Sequence, residues 1–174
     1  HVGGAEEVLA RFRPRMVLVR AGEPPGWLVA AAEGSGSELR VAMPGESIAV
    51  GEATWTTVSV GAASALAAGA AEEGRDGVGD GSAENDASVV GVAEVRAASG
   101  VGRDESSGLR VLLAGDAEPA GQARALRSAA LLGLDLSADV LKLPHHGSAR
   151  QEPRFFELKP ARLAAVEVQE VLIG

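Results

Sequence analysis

The stretch Asp139-Val-Leu-Lys-Leu-Pro-His145-His146-Gly-Ser148 decides how the rest of the sequence is interpreted. Its first half is an apolar run typical of a short buried strand, and its second half has the Pro and Gly residues of a turn. Two of the chain's 3 histidines stand side by side there. Functional side chains often lie where a strand ends in a loop. Taken alone, however, a histidine pair in a turn is more often solvated surface than a pair of ligands.

A second strand end carries an acidic residue. The apolar run Leu109 to Ala114 predicts a strand, and Gly115 after it lets the Asp116 carboxylate project from the edge of the sheet. The segment Pro119 to Leu132 has apolar residues at helical spacing, with Glu118 near its start. Asp116 could therefore cap that helix instead of serving a site, and the residues alone leave both roles open.

The remaining segments alternate between helical and extended patterns, which predicts an α/β (α+β) fold in one domain over residues 1–174. The first strand is of the buried kind found in parallel sheets. The three extended runs after Gly36 predict an antiparallel meander with turns at Pro44-Gly45 and Gly51. The other predicted helices are Ala5 to Phe12, Pro24 to Ala31 and Pro153 to Leu158, and the other predicted strands are Met16 to Val19, Leu39 to Ala42, Ser47 to Val50, Thr54 to Val60, Ser88 to Val95 and Leu163 to Val168.

One internal segment, Gly61 to Ala83, follows neither pattern. Ala, Gly, Glu and Asp dominate it, and large hydrophobic residues are nearly missing. Ordering such a segment costs more conformational entropy than its burial returns. We therefore interpret residues 61–83 as a flexible insertion within the domain.

Composition limits the chemistry that the chain can perform. A net charge of -8 argues against holding nucleic acid through Lys and Arg, although bound cations can supply positive charge locally. The chain has no Cys, so any metal must be bound by His, Asp and Glu, a ligand set that suits manganese or zinc. No apolar run reaches the roughly 18 residues that a membrane-spanning helix needs.

Four segments in order resemble the ComEC-type metallo-β-lactamase domain of DNA-uptake proteins, at approximately the family's spacing. Asp139 to Ser148 is the most diagnostic of them. The other three are His1-Val-Gly-Gly, Glu84-Asn-Asp-Ala-Ser-Val-Val and Leu112-Leu-Ala-Gly-Asp116-Ala-Glu.

This resemblance implies a four-layer αββα sandwich with a site for two divalent metal ions, Zn or Mn, at one edge of its paired sheets. His1 matches the last histidine of the family's first metal motif, and Asp116 matches the carboxylate that bridges the two metals. His145 or His146 matches the late histidine ligand. The two ions would polarise a phosphoryl oxygen and lower the pKa of a water molecule that attacks it.

The same resemblance implies hydrolysis of phosphodiester bonds, with single-stranded DNA as the substrate during DNA uptake in competence. The parent protein would be a bacterial multi-pass membrane protein, and this chain part of its soluble domain. The family's earlier His and two Asp residues, with their N-terminal strands, would precede His1. We therefore expect the polypeptide to continue upstream, and this chain by itself to have weak activity or none.

The segment around Glu84 offers two further candidates, together with the end of the diagnostic stretch. The resemblance places Asn85 near the active-site edge as a substrate-binding residue, although Asn85 and Asp86 are more often structural residues at a turn or at the start of a strand. Ser148 would contact a phosphate or cap a turn.

Two other functions remain open from the sequence. One is a free-standing hydrolase of the same fold that acts on a small ester or phosphoester. The other is a degenerate, non-catalytic interaction domain, which the acidic charge and the Ala/Gly-rich insertion favour.

Overall fold

The computed structural model describes residues 4–61, 85–96 and 108–157, together with the backbone of residues 163–165, and these residues form a mixed α/β structure. His1 and the predicted insertion beyond Gly61 lie outside the described residues. No helix in the described ranges is long and apolar enough to cross a bilayer. The helices are α1 (Ala5–Phe12), α2 (Gly26–Ser35), α3 (Pro119–Leu132) and α4 (Pro153–Phe156), and the strands are β1 (Met16–Val19), β2 (Glu38–Val41), β3 (Ser47–Val50), β4 (Ala53–Val60), β5 (Val89–Val95), β6 (Leu109–Leu113), β7 (Val140–Lys142) and β8 (Leu163–Ala165).

The first two strands form a sheet of their own. β1 and β2 pair in parallel, with Met16 opposite Glu38 and Val19 opposite Val41, and α2 is the crossover between them. The predicted antiparallel meander is therefore wrong at its first strand. An alternating pattern shows that a segment is extended but does not identify its partner. The helix before β2 identifies β1 as its partner, because two consecutive parallel strands need a crossover connection of this kind.

The larger sheet has the order β3-β4-β5-β6-β7-β8. β3 through β6 pair antiparallel, as the strand-rich middle of the sequence predicts, whereas β6, β7 and β8 are parallel to one another. Helix α3 connects β6 to β7, and its Ser128 hydroxyl donates a hydrogen bond to the Val58 carbonyl of β4. The change to parallel pairing brings the carboxyl ends of β6 and β7 to the same edge.

The core of this sheet consists mainly of small residues, as the Ala- and Val-rich composition suggests. Four alanines, Ala114, Ala117, Ala125 and Ala129, pack there with valines and leucines. Phe155 of α4 is the largest fully buried side chain in the described part of the chain. Small side chains let α3 approach the sheet closely, so that the loops at its ends lie near the strand ends.

The N-terminus of α3 is capped by a residue that is distant in sequence. Asp86 Oδ1 accepts a hydrogen bond of 2.6 Å from the backbone N–H of Gly121, and the Arg124 guanidinium donates to the Asp86 carbonyl. Burial raises the pKa of the Asp86 carboxyl, the nearby Glu118 carboxylate raises this pKa further, and the Gly121 N–H and Arg124 oppose the rise. Asp86 thus has a structural role that ties the start of β5 to α3.

This shift predicts a pH-dependent effect of replacing Asp86. Because its folded-state pKa is raised above the ordinary value of about 3.9, Asp86 contributes stability below that pH and loses the contribution as the pH rises through the folded-state pKa. Asn keeps the oxygen acceptor without the charge. Urea unfolding from pH 3 to pH 7 should therefore show Asp86→Asn gaining stability relative to wild type as the pH rises.

The Asp86→Ala variant separates the charge from the cap. It loses the hydrogen bond to Gly121 at every pH, and we expect it to be less stable than Asp86→Asn by about 1 kcal/mol throughout. The account of the cap would be contradicted if the free energy of unfolding of Asp86→Asn, relative to that of wild type, fell or stayed constant as the pH rises.

Candidate active site at the ends of strands β6 and β7

Asp116 and His146 meet at the shared edge of β6 and β7. In the parallel register Leu113 lies opposite Lys142, so the two chains leave the sheet side by side. His146 Nε2 is 3.5 Å from Asp116 Oδ1, and both side chains are partly exposed, at 32% and 21%. The structure thus brings together the acid and one of the two adjacent histidines that the sequence placed at two strand ends.

A lysine shares this carboxylate. The ammonium of Lys142, the last residue of β7, lies 3.4 Å from Asp116 Oδ1 and donates a 3.0 Å hydrogen bond to the carbonyl of Gly115. Asp116 also donates its backbone N–H to the Ser88 hydroxyl oxygen. Ser88, just before β5, therefore holds the Asp116 backbone, and Lys142 of β7 balances the charge of the Asp116 carboxylate.

A second acid–histidine pair lies beside the first. Glu118 is almost fully buried, with 6% of its side chain exposed, and its Oε1 is 3.4 Å from His145 Nδ1. The Asn85 amide donates to the same oxygen at 3.2 Å, and Arg150 Nη1 is 3.5 Å from Oε2. His145 Nδ1 is itself buried and lacks the geometry of a hydrogen bond to any described group. The two adjacent histidines thus face two different carboxylates.

The backbone of the histidine turn is strained. His145 has φ 43° and His146 has φ 53°, and Gly147 continues in the left-handed region at φ 79°. Such a conformation costs about 1–3 kcal/mol for each non-glycine residue. The surrounding structure must therefore hold the turn in place, as strained residues at functional sites require.

Two glutamine side chains hold this turn against the Asp116 loop. The fully buried Gln122 of α3 donates to the Ala117 carbonyl and to Gln151 Oε1, and its own oxygen accepts from the Glu152 N–H at 2.8 Å. Gln151 in turn donates to the carbonyls of Pro144 and Ser148, which flank the two histidines. Gln122 and Gln151 thus connect the two loops that carry the four site side chains.

The other predicted site residues have structural partners. Ser148 Oγ accepts from the Arg150 N–H at 3.2 Å, so the hydroxyl caps a turn, and Asn85 is engaged by Glu118. Neither contact tests whether these side chains bind a substrate. His1, the remaining predicted ligand, lies outside the described residues.

The donor set matches a hard or borderline metal ion in type, since Asp116 supplies a carboxylate and His146 an imidazole. It is incomplete in number. The described residues contain no group of three or more His, Cys, Asp or Glu side chains placed to hold a metal ion. Lys142 also places a positive charge at the oxygen that a metal would use. A metal here would need His1 or other ligands in addition, and Lys142 would have to move.

Two site residues are not predicted from the sequence. There Glu118 is only a residue near the start of a helix, and Lys142 is part of an apolar strand. The available signals were an acidic pair at positions 116 and 118 directly after a strand, and a single charge within Val140-Leu-Lys-Leu143. A partly buried charged residue in an otherwise apolar strand requires a partner of opposite charge, which Lys142 finds in Asp116.

Comparison with protein families, with curated proteins and with solved structures finds no match for this chain. Its geometry and its sequence motifs are therefore the basis on which a function can be proposed.

Replacing Gln122 with Leu should destabilise the protein by about 1–3 kcal/mol, because the partly buried Glu152 N–H and the buried Ala117 carbonyl lose their partner. Urea unfolding measures this difference. The control is Arg127→Ala on the exposed face of the same helix, which should stay within about 0.5 kcal/mol of wild type. Equal, small effects of the two substitutions would mean that Gln122 does not hold the site loops together.

Proposed function

We propose that this chain belongs to a metal-dependent hydrolase of phosphodiester bonds, with a domain similar to the ComEC-type metallo-β-lactamase domain and its four-layer αββα fold. The observation that carries the proposal is the contact between Asp116 and His146 at 3.5 Å, on the ends of neighbouring parallel strands. Sites in sheets with parallel strands are commonly built at that edge. Single-stranded DNA taken up by a bacterial cell is the proposed substrate.

In this proposal Asp116 and His146 hold a divalent ion together with His1. Zinc or manganese would supply Lewis-acid stabilisation of the negative charge on the phosphoryl oxygens. Two ions are expected from the family resemblance. The described residues offer two candidate ligands, Asp116 and His146, for one of them.

His145 and Glu118 would move the proton. The buried Glu118 carboxylate lies 3.4 Å from His145 Nδ1, and Nε2 is the ring nitrogen that would exchange a proton with the substrate. Arg150 and Asn85 hold Glu118 in place from its other sides. His145 is thus proposed as a general acid that protonates the leaving oxygen.

Lys142 supports a second candidate, a non-catalytic interaction module. Its ammonium already neutralises Asp116, so the pair can be a structural ion pair at a strand end. In that case no metal is required for folding or function. Metal binding distinguishes the two candidates.

Calorimetric titration with Mn²⁺ and Zn²⁺ should show that Asp116→Asn loses binding, since the carboxylate is the central ligand. His1→Ala should weaken binding as well. Lys142→Met should bind about tenfold more tightly, a difference of ~1.4 kcal/mol, because it removes the cation that competes for Asp116 Oδ1.

The control for the titration is Glu94→Gln, which removes a partly exposed carboxylate paired with Arg110 and should leave the affinity unchanged. Binding that is the same in wild type, Asp116→Asn and Glu94→Gln would exclude a metal site at Asp116. The interaction module would then become the leading candidate.

Hydrolysis of bis(4-nitrophenyl) phosphate and of single-stranded DNA in the presence of Mn²⁺ tests the catalytic part. His145→Gln should lower kcat by about 100-fold or more while Mn²⁺ binding is retained, because the variant keeps Asp116 and His146 but loses the proton donor. Arg127→Gln is the control and should match wild type. The catalytic role would be wrong if His145→Gln turned over as fast as wild type.

A further inference from the structure

A pocket of about 260 Å³ lies away from the acid–histidine site, at the carboxyl end of β1. Its walls are mainly apolar. The apolar lining includes Leu18 and Val19 of β1, Trp27 and Leu28 of α2, and Ala87 and Val89 at the start of β5. The pocket thus lies where the two-stranded sheet meets the larger sheet, and neither sheet forms it alone.

Its position is one where ligands are commonly bound. β1 and β2 are parallel and α2 connects them, so the pocket opens beyond the carboxyl end of a strand–helix–strand unit. In sheets of this type that end is the usual ligand-binding edge. The volume is slightly below the range of about 300–1,000 Å³ that is typical of sites for drug-sized ligands. An occupant would therefore be small.

The polar groups at the pocket indicate its preferred charge. Arg20 follows β1 directly and is half-buried, whereas Glu23 at the same pocket is exposed. Among the described residues Arg20 has neither an ion pair nor a hydrogen bond, and its guanidinium offers five N–H donors in a planar fork. A guanidinium at the wall of an apolar pocket suits an anionic group that remains near the surface.

We infer that this pocket binds a small organic anion with a flat apolar body, whose ring packs against Trp27 and whose charged group pairs with Arg20. This inference does not depend on the proposed metal-dependent activity. The pocket is nevertheless connected to the candidate site, because Ser88 lies between the pocket residues Ala87 and Val89 and accepts a hydrogen bond from the Asp116 N–H. A ligand in the pocket would therefore contact the two neighbours of Ser88, the residue that binds the Asp116 backbone.

The test uses 1-naphthalenesulfonate as the probe and isothermal titration calorimetry as the readout. Wild type should bind it saturably at one site. Arg20→Gln should weaken binding about tenfold or more, and Glu23→Gln should tighten it, because the two substitutions remove charges of opposite sign. Leu28→Trp, which fills the pocket and keeps Arg20, should abolish binding. Thermal unfolding of each variant confirms that it is folded.

Two controls separate a built site from general attraction of anions. Arg127→Gln removes the same charge from the exposed face of α3 and should leave the affinity unchanged. The neutral 1-naphthalenemethanol should bind wild type more weakly than the sulfonate does. Its affinity should be the same for wild type and for Arg20→Gln. The inference is overturned if Arg20→Gln and Arg127→Gln weaken binding alike, if folded Leu28→Trp binds like wild type, or if wild type shows no saturable binding.

Discussion

The parallel pairing of β6 with β7 is the constraint on which the candidate site depends. It sets Val111 opposite Val140 and Leu113 opposite Lys142, so both strands end at the same level of the same edge. Asp116 and His146 each lie a few residues beyond that end and can approach to 3.5 Å. In an antiparallel pair the carboxyl ends would lie at opposite edges, and no contact between these side chains would form.

Strand pairing alone does not hold two adjacent histidines in the left-handed region. The turn is kept there by the buried amide of Gln122 and the partly buried amide of Gln151, which makes hydrogen bonds on both sides of it. His145 N–H also donates to the Gly115 carbonyl, the same carbonyl that accepts from Lys142. These hydrogen bonds therefore offset the local strain, and in this left-handed turn His145 and His146 face different acids.

Much of the fold could be predicted from the sequence, because local patterns decide it. The helix from Pro119 and its stop at Gly133 were predictable from helical spacing and an αL glycine, and the β5–β6 pair from two apolar runs. The partner of β2 could not be predicted, since it depends on the helix that connects β2 to β1 and not on the sequence of the strand itself. The same limit applies to the site. Asp116 and His146 can be identified as candidates from the sequence. Glu118 can be identified only from the structure, where three side chains contact it: Asn85, His145 and Arg150.

The charges of the site are balanced before any ion binds: Asp116 faces Lys142, and Glu118 faces Arg150. The central claim is that Asp116 and His146 form a metal-binding pair and not merely a structural one. Anomalous diffraction from crystals soaked in Mn²⁺ tests it most directly. The account predicts a manganese peak within coordinating distance of the Asp116 carboxylate and the His146 imidazole, with Lys142 displaced from Asp116 Oδ1. A structure in which Lys142 still contacts Asp116, with no peak beside either side chain, would contradict it.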